Sequence, residues 1–320
     1  MSYVFADIIL YDNIGMSYTG NTVYESGMGG SEFQSILLLE ELAKLGKRVI
    51  CLNNTKVDVE VNGVMYIPNT LLDTYKFKCN NLIIHRYSDI PKILHKKAFV
   101  WATDLNGIHN LKFYSLFEQN KLELVVLSEF QNKLFPDSWK KHNIHFMIPS
   151  WVYGYKVPIK KCGYIYASSL MKGYSSTFEC WKYLKGINLI KNDPLYVCLP
   201  GYDNPTVDIS DTLYSINYLS TLPFKQVVET MSMCKGMFYV NIVPETFGIS
   251  VVLAEILQTT PYVYGINGLG ALPELINSPS ITTNMDTFIN YFKTDNVSSY
   301  TANVFNSTNI INNWVKILHV

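Results

Sequence analysis

The chain has 320 residues, enough for two domains of ordinary size. Hydrophobic residues make up 48%, so a large core can be buried, and 26 basic residues balance 26 acidic ones. A net charge of zero argues against a protein that grips duplex nucleic acid through its phosphates. The absence of a run of about 18 apolar residues argues against a membrane-spanning helix.

The first eleven residues lack the basic start of a signal peptide. The six cysteines (Cys51, Cys79, Cys162, Cys180, Cys198, Cys234) show no CxxC spacing. They read as reduced thiols in a cytoplasmic protein rather than a metal site or a disulfide frame. An Asn- and Tyr-rich composition fits an AT-rich genome, viral or bacterial, and carries no mechanism.

In chain order, residues 4–11 predict a buried strand, followed by the loop Gly27-Met28-Gly29-Gly30. A helix follows over 31–45, capped by Ser31, with Phe33, Leu37, Leu38 and Leu42 on one face and Gly46 ending it. Residues 48–52 predict the next strand, and 59–66 a hairpin turning on Asn62-Gly63. Further strands are predicted at 81–85, 98–103, 122–127 and 145–148. The two prolines, glycine and aromatics of 149–158 predict a connection between domains. A second series then has strands at 163–167, 195–199, 237–242 and 261–265, with helices at 175–184, 224–235, 248–258 and 285–292. A last amphipathic helix carries Ile310, Ile311, Trp314, Ile317 and Leu318. Strands alternating with helices imply an α/β protein with parallel sheets. Ligands in such sheets bind beyond the carboxyl ends of the strands, which predicts a site in the cleft between two domains.

The strongest chemical signal is Pro244-Glu245-Thr246-Phe247-Gly248-Ile249-Ser250. A strand ends, a short loop follows, and a helix begins near Gly248. The unpaired amides at that helix start and the helix dipole suit a phosphate. Glu245, just before them, can accept hydrogen bonds from sugar hydroxyls; the plainer reading is an acid favoured by the dipole. Elsewhere, Ser168 and Ser169 precede Lys172-Gly173, and Gly268-Leu269-Gly270-Ala271-Leu272-Pro273-Glu274 follows a strand. No P-loop or full Gly-x-Gly-x-x-Gly fingerprint is present.

These segments, in this order, resemble the retaining glycosyltransferases of family 4, which have the GT-B fold: two Rossmann-like domains with parallel sheets facing across a cleft. The resemblance implies an N-terminal acceptor domain over 1–152, a nucleotide-sugar donor domain over 153–304, and a final helix, 305–320, packing back on the first domain. It implies that Glu245 contacts the transferred sugar and that the amides of Thr246, Phe247, Gly248 and Ile249 meet donor hydroxyls and phosphate. Lys172 with Ser168 would face the pyrophosphate, and Gly29 and Gly30 would form the N-terminal glycine loop. Asp104, after the strand ending Trp101-Ala102-Thr103, is the candidate contact for sugar or acceptor, with helix or turn capping as its competing role, and His85 and Arg86 would line the acceptor side. His109, His142 and His145 read as structural, and Ser128-Glu129 as a helix cap. The loops 201–205 and 218–222 would recognise the base.

Two departures stand out. The family's second glutamate, eight residues after the first, is replaced here by Leu253; the nearest acid is Glu255, about 200° away around a helix. A bulge in that helix would re-aim Glu255 toward the ribose. No arginine precedes Lys172 between residues 166 and 171.

The resulting expectation is transfer of a hexose or pentose, with retention, from a UDP- or GDP-type donor to a glycan, lipid or other hydroxyl acceptor. The resemblance implies that no metal cofactor is needed, and the Asp-x-Asp motif of metal-using enzymes is absent from the sequence; Asp208 and Asp211 read as surface charges. The alternatives are a non-catalytic sugar-nucleotide binder and a glycosyltransferase acting on modified nucleic-acid bases.

Overall fold

The computed structural model describes residues 3–13, 15–86, 89–105, 111–203, 210–294 and 304–320. His109 and Asp208 lie outside them. The chain forms two compact units: Met1–Val23, Gly30–Pro149 and Val304–Val320 in the first, Tyr24–Gly29 and Ser150–Asn303 in the second.

The first unit holds an eight-stranded sheet of β1 (Tyr3–Tyr11), β2 (Val49–Asn53), β3 (Val59–Val61), β4 (Val64–Pro68), β5 (Lys76–His85), β6 (Leu94–Trp101), β7 (Glu123–Val126) and β8 (Lys141–Asn143). The order is β3-β4-β2-β1-β5-β6-β7-β8, parallel except for β3 against β4. The β3–β4 hairpin turns on Asn62 (φ 51°) and Gly63 (φ 80°), the positive-φ pair that a two-residue turn needs. Ile8, Ile9 and Leu10 in β1 and Leu82, Ile83 and Ile84 in β5 are fully buried, as expected for central strands covered on both faces.

The first long helix spans Gly30–Lys44, so Ser31 sits inside its first turn and its carbonyl accepts from Ser35 Oγ at 3.2 Å. Its buried face is wider than predicted, taking in Ile36, Leu39 and Gln34 while Leu37 stays half-buried. Gly46, at φ 77°, closes it: Gly46 N–H reaches Ala43 O and Lys47 N–H reaches Leu42 O, a Schellman end. Ser128 caps its short helix by accepting from Gln131 N.

The strand predicted at 145–148 is not one; the edge strand is β8, just before it. The backbone of 147–148 is satisfied otherwise. Met147 N–H and C=O bond both ends of the Gln34 amide at 2.7 and 2.8 Å, and Ile148 N–H bonds Phe305 O. An apolar run signals burial, and here a side chain replaces the strand partner. The helix Ser307–Leu318, capped by Asn306, belongs to this unit. Its buried Trp314 meets Trp101 edge-on, and its last carbonyls accept from Asn81 and Lys97.

The second unit is a parallel six-stranded sheet, β11-β10-β9-β12-β13-β14. Its strands are β9 (Tyr164–Ala167), β10 (Leu195–Cys198), β11 (Ile216–Tyr218), β12 (Gly236–Asn241), β13 (Thr260–Gly265) and β14 (Ile281–Thr282). Helices at Tyr174–Gly186, Phe224–Met233, Ile249–Ile256 and Met285–Thr294 follow β9, β11, β12 and β14. Rings of Tyr164, Trp181, Phe238, Tyr262, Phe288 and Phe292 pack through its core in edge-to-face and tilted pairs. No helix among the described residues is long and apolar enough to cross a membrane.

Candidate functional site

Strand order reverses between β9 and β12, and the carboxyl ends of these two strands flank the reversal. In open α/β sheets that is where a crevice for ligands forms. Leaving β12, Asn241 Oδ1 accepts from Val243 N at 3.0 Å and turns the chain off the sheet. Glu245 is then clamped as a one-residue bridge against Gly270, with Ala271 N–H donating to Glu245 O at 2.8 Å. Gly270, at φ 64°, has no room for a side chain: a Cβ there would lie 2.2 Å from Glu245 O. Phe247 is fully buried and anchors the loop. Gly248 (φ 74°) opens the Ile249–Ile256 helix, whose first bonds run from Val251 and Val252 N–H to Gly248 O. The amides of Ile249 and Ser250 precede those bonds and form the electropositive end.

Lys172 reaches this point from β9. Ser169 caps the turn Leu170–Lys172, and Lys172 O accepts from Ile242 N at 3.2 Å. Gly173 (φ 120°) presses on β12, where a Cβ would stand 2.1 Å from Val240 O. Thr177 fastens the same joint, accepting from Val240 N and donating to Gly173 O. The outcome is an ion pair: Lys172 Nζ lies 2.8 Å from Glu245 Oε2. Glu245 Oε1 accepts from the buried Tyr239 hydroxyl at 2.8 Å. Burial and the Glu245 charge push the Tyr239 phenol well above its usual range, so it acts as a donor. Asn241 is fully buried, and its Nδ2 has no hydrogen-bond partner among the described residues.

Of the residues predicted for donor binding, Lys172, Glu245, Thr246, Phe247, Gly248 and Ile249 converge here. Ser168 lies beside the phenols of Tyr166 and Tyr239, next to the ion pair. Glu255 is buried in the last turn of an unbroken α-helix, so no bulge turns it. The chain leaves the helix through Gln258, which takes φ 53°; Gln258 N–H bonds Glu255 O and Thr259 N–H bonds Ala254 O. Leu253 is buried too.

Gly29 is buried in the second unit, and Gly30 starts the first unit's long helix. The glycine that allows a close approach is Gly27, whose Cβ would fall 2.5 Å from Thr221 Cγ2 and 2.9 Å from Leu222 O. Gly201 also closes on it, with a Cβ 2.9 Å from Gly27 O, so two loops predicted to read the base meet at this backbone. Asn204 and Pro205 lie outside the described residues.

In the first unit the order reverses between β1 and β5, and a charged cluster sits at those strand ends. Asp12 and His85 are fully buried, with His85 Nδ1 2.9 Å from Asp12 Oδ2. Tyr18 O–H and Gly15 N–H also donate to Asp12. Arg86, in the left-handed region at φ 61°, lies 2.5 Å from Glu32 Oε1 and 3.3 Å from the half-exposed Asp104. Burial pushes the Asp12 carboxyl up, but His85, Arg86 and the Gly15 amide outweigh it and hold it well below the usual range. The three carboxylates overcome the effect of burial on Arg86 and raise its guanidinium. Asp12 and Glu32 escaped the sequence reading; an acid directly after the first buried strand was the available signal. His142 pairs with Glu123 and His145 with Leu127 O, both structural roles. Among the described residues no three His, Cys, Asp or Glu side chains converge as metal ligands.

No protein-family model matches the chain, and no curated protein matches it in sequence. Solved structures do. Anabaena HepE in complex with UDP-glucose superposes with a TM-score of 0.67 at 12% identity, covering 98% of this chain and 99% of that one. AviGT4, a glycosyltransferase involved in avilamycin A biosynthesis, gives 0.65 at 12% identity over 98% and 96% of the two chains. WaaG, a glycosyltransferase involved in lipopolysaccharide biosynthesis, gives 0.63 at 12% identity over 97% and 99%. These likenesses establish the fold as GT-B.

Proposed function

We propose that the chain is a glycosyltransferase that moves a sugar from a UDP- or GDP-type donor to a hydroxyl acceptor, with retention of anomeric configuration. The observation that carries this reading is the Lys172–Glu245 pair in front of the Ile249–Ile256 helix. A nucleotide sugar presents that combination with what it needs. Its diphosphate takes a cation and helix amides, and its sugar hydroxyls take a buried carboxylate. As the glycosidic bond breaks, negative charge grows on the departing diphosphate. Lys172 and the amides of Ile249 and Ser250 stabilise that charge, and no metal is assigned a part. Both Glu245 oxygens are already engaged, which favours a hydrogen-bonding role over a nucleophilic one. Displacement then occurs on the face the diphosphate leaves, with its oxygen taking the acceptor proton.

The acceptor hydroxyl is assigned to the half-exposed Asp104 beside Arg86 in the first unit, with the buried Asp12–His85 pair behind them; a carboxylate there suits a neutral glycan or other hydroxyl compound better than an anion. Six free cysteines, five of them buried, suit a cytoplasmic setting. A sugar-nucleotide binder without turnover is the second reading, favoured by Leu253 at the position of the family's second glutamate. A thermal-shift panel of nucleotide sugars and nucleoside diphosphates tests donor binding, since a ligand of the folded state raises its melting temperature. Product NMR then separates the readings: an inverted anomer removes retention, and binding without turnover favours the second.

A further inference from the structure

We infer that Tyr239 is a positioning residue for Glu245, fixing which carboxylate oxygen is left to receive the sugar; this rests on the donor-site reading above. Tyr239 lies on β12, buried at 1% exposure, with its hydroxyl 2.8 Å from Glu245 Oε1. A phenol has one proton to give, and beside the Ser168 hydroxyl, which can itself donate to the phenol, Glu245 Oε1 at 2.8 Å and Asn241 Oδ1 at 3.1 Å compete for it. The carboxylate is both nearer and charged, so it takes the proton. Asn241 Oδ1 is already served by Val243 N–H at 3.0 Å.

The consequence follows from which oxygen each neighbour holds. Tyr239 binds Oε1 from within the core, and Lys172 binds Oε2 from a side chain 42% exposed. When a diphosphate draws Lys172 away, Oε2 is released and Oε1 stays tethered. A carboxylate pinned by one oxygen cannot rotate to present both, so the sugar meets a single acceptor in a fixed direction. The bond to Tyr239 therefore acts on the sugar and not on the nucleoside diphosphate.

The test compares dissociation constants for two ligands: the nucleotide sugar giving the largest thermal shift among UDP-glucose, UDP-N-acetylglucosamine and GDP-mannose, and its nucleoside diphosphate alone. Wild type, Tyr239→Phe, Glu245→Ala and the double variant are measured. Tyr239→Phe is expected to weaken the nucleotide sugar about tenfold, the size of one charge-assisted hydrogen bond, and the diphosphate less than about twofold. The double variant is expected to bind no worse than Glu245→Ala, because the tyrosine acts through the glutamate. Equal losses for both ligands, or no loss for either, overturn the inference. An unaltered Glu245→Ala instead overturns the donor-site reading on which it stands, as does a panel without a binder. If Tyr239→Phe fails to fold, 4-fluorophenylalanine incorporated at position 239 fills the space of the phenol without a proton to donate. It is expected to cost the nucleotide sugar about tenfold and the diphosphate less than about twofold, and an equal loss for both overturns the inference.

Discussion

Lys172 and Glu245 meet at 2.8 Å although 73 residues separate them, and the two are unequally buried: the lysine side chain is 42% exposed and the glutamate 6%. The asymmetry assigns them different costs of removal. A buried carboxylate that loses its cation is left desolvated and unpaired, whereas a half-exposed lysine that loses its carboxylate is taken up by water.

Lys172→Ala is therefore expected to lower stability by about 2 kcal/mol, less than a fully buried pair because solvent reaches the site. Lys172→Ala combined with Glu245→Gln should recover most of that, since a neutral amide is cheaper to bury. Urea unfolding of the four members of the cycle measures it. Diphosphate affinity should fall in both lysine variants and survive in Glu245→Gln; a diphosphate that binds Lys172→Ala normally removes the lysine from the phosphate site.

Gly173→Ala addresses how that pair is assembled. The backbone at 173 has φ 120°, and a Cβ there would lie 2.1 Å from the Val240 carbonyl, which belongs to a central strand and cannot yield. Left-handed strain of about 1–2 kcal/mol adds to overpacking of similar size, so a loss of about 3 kcal/mol is expected. Gly186→Ala, where a Cβ meets nothing within 4 Å, is the control and should change stability little.

Much of the fold was legible because the central strands carry apolar runs, as in residues 8–11 and 237–240. β11 and β14 were not, because three and two residues of mixed burial at a sheet edge carry no periodic signal. The glycines and Glu245 were readable as a helix-start anion site. Their union with Lys172 was not, because it depends on Gly173 and Thr177 gripping Val240 across the sheet. Asp12 is a single acid in the sequence and becomes part of a cluster only when β1 pairs with β5, which brings His85 to it.

Gln258 offers a stabilising change. It occupies the left-handed residue of a Schellman end at φ 53°, where a side chain is strained and glycine is not. Gln258→Gly should raise stability by about 1 kcal/mol, seen as a higher urea midpoint at unchanged slope. The same substitution at Gln119, just before the helical turn's own positive-φ residue Asn120, should do nothing of the kind.

The buried Asp12–His85 pair predicts a direction of acid sensitivity. Asp12 is held well below its ordinary value of 3.8 because His85, Arg86 and the Gly15 amide overcome its burial. In acid the unfolded chain thus binds this proton before the folded chain does, and stability falls as pH falls. The contribution is complete well above the ordinary value and drains away as pH drops through it toward the depressed one. Asp12→Asn keeps the shape and removes the titration. Its stability deficit against wild type should be level from pH 7 down to about pH 5 and shrink from there toward pH 3, measured as the difference in urea midpoints. A deficit that stays constant over that range means that the aspartate is not the ionised partner of the pair.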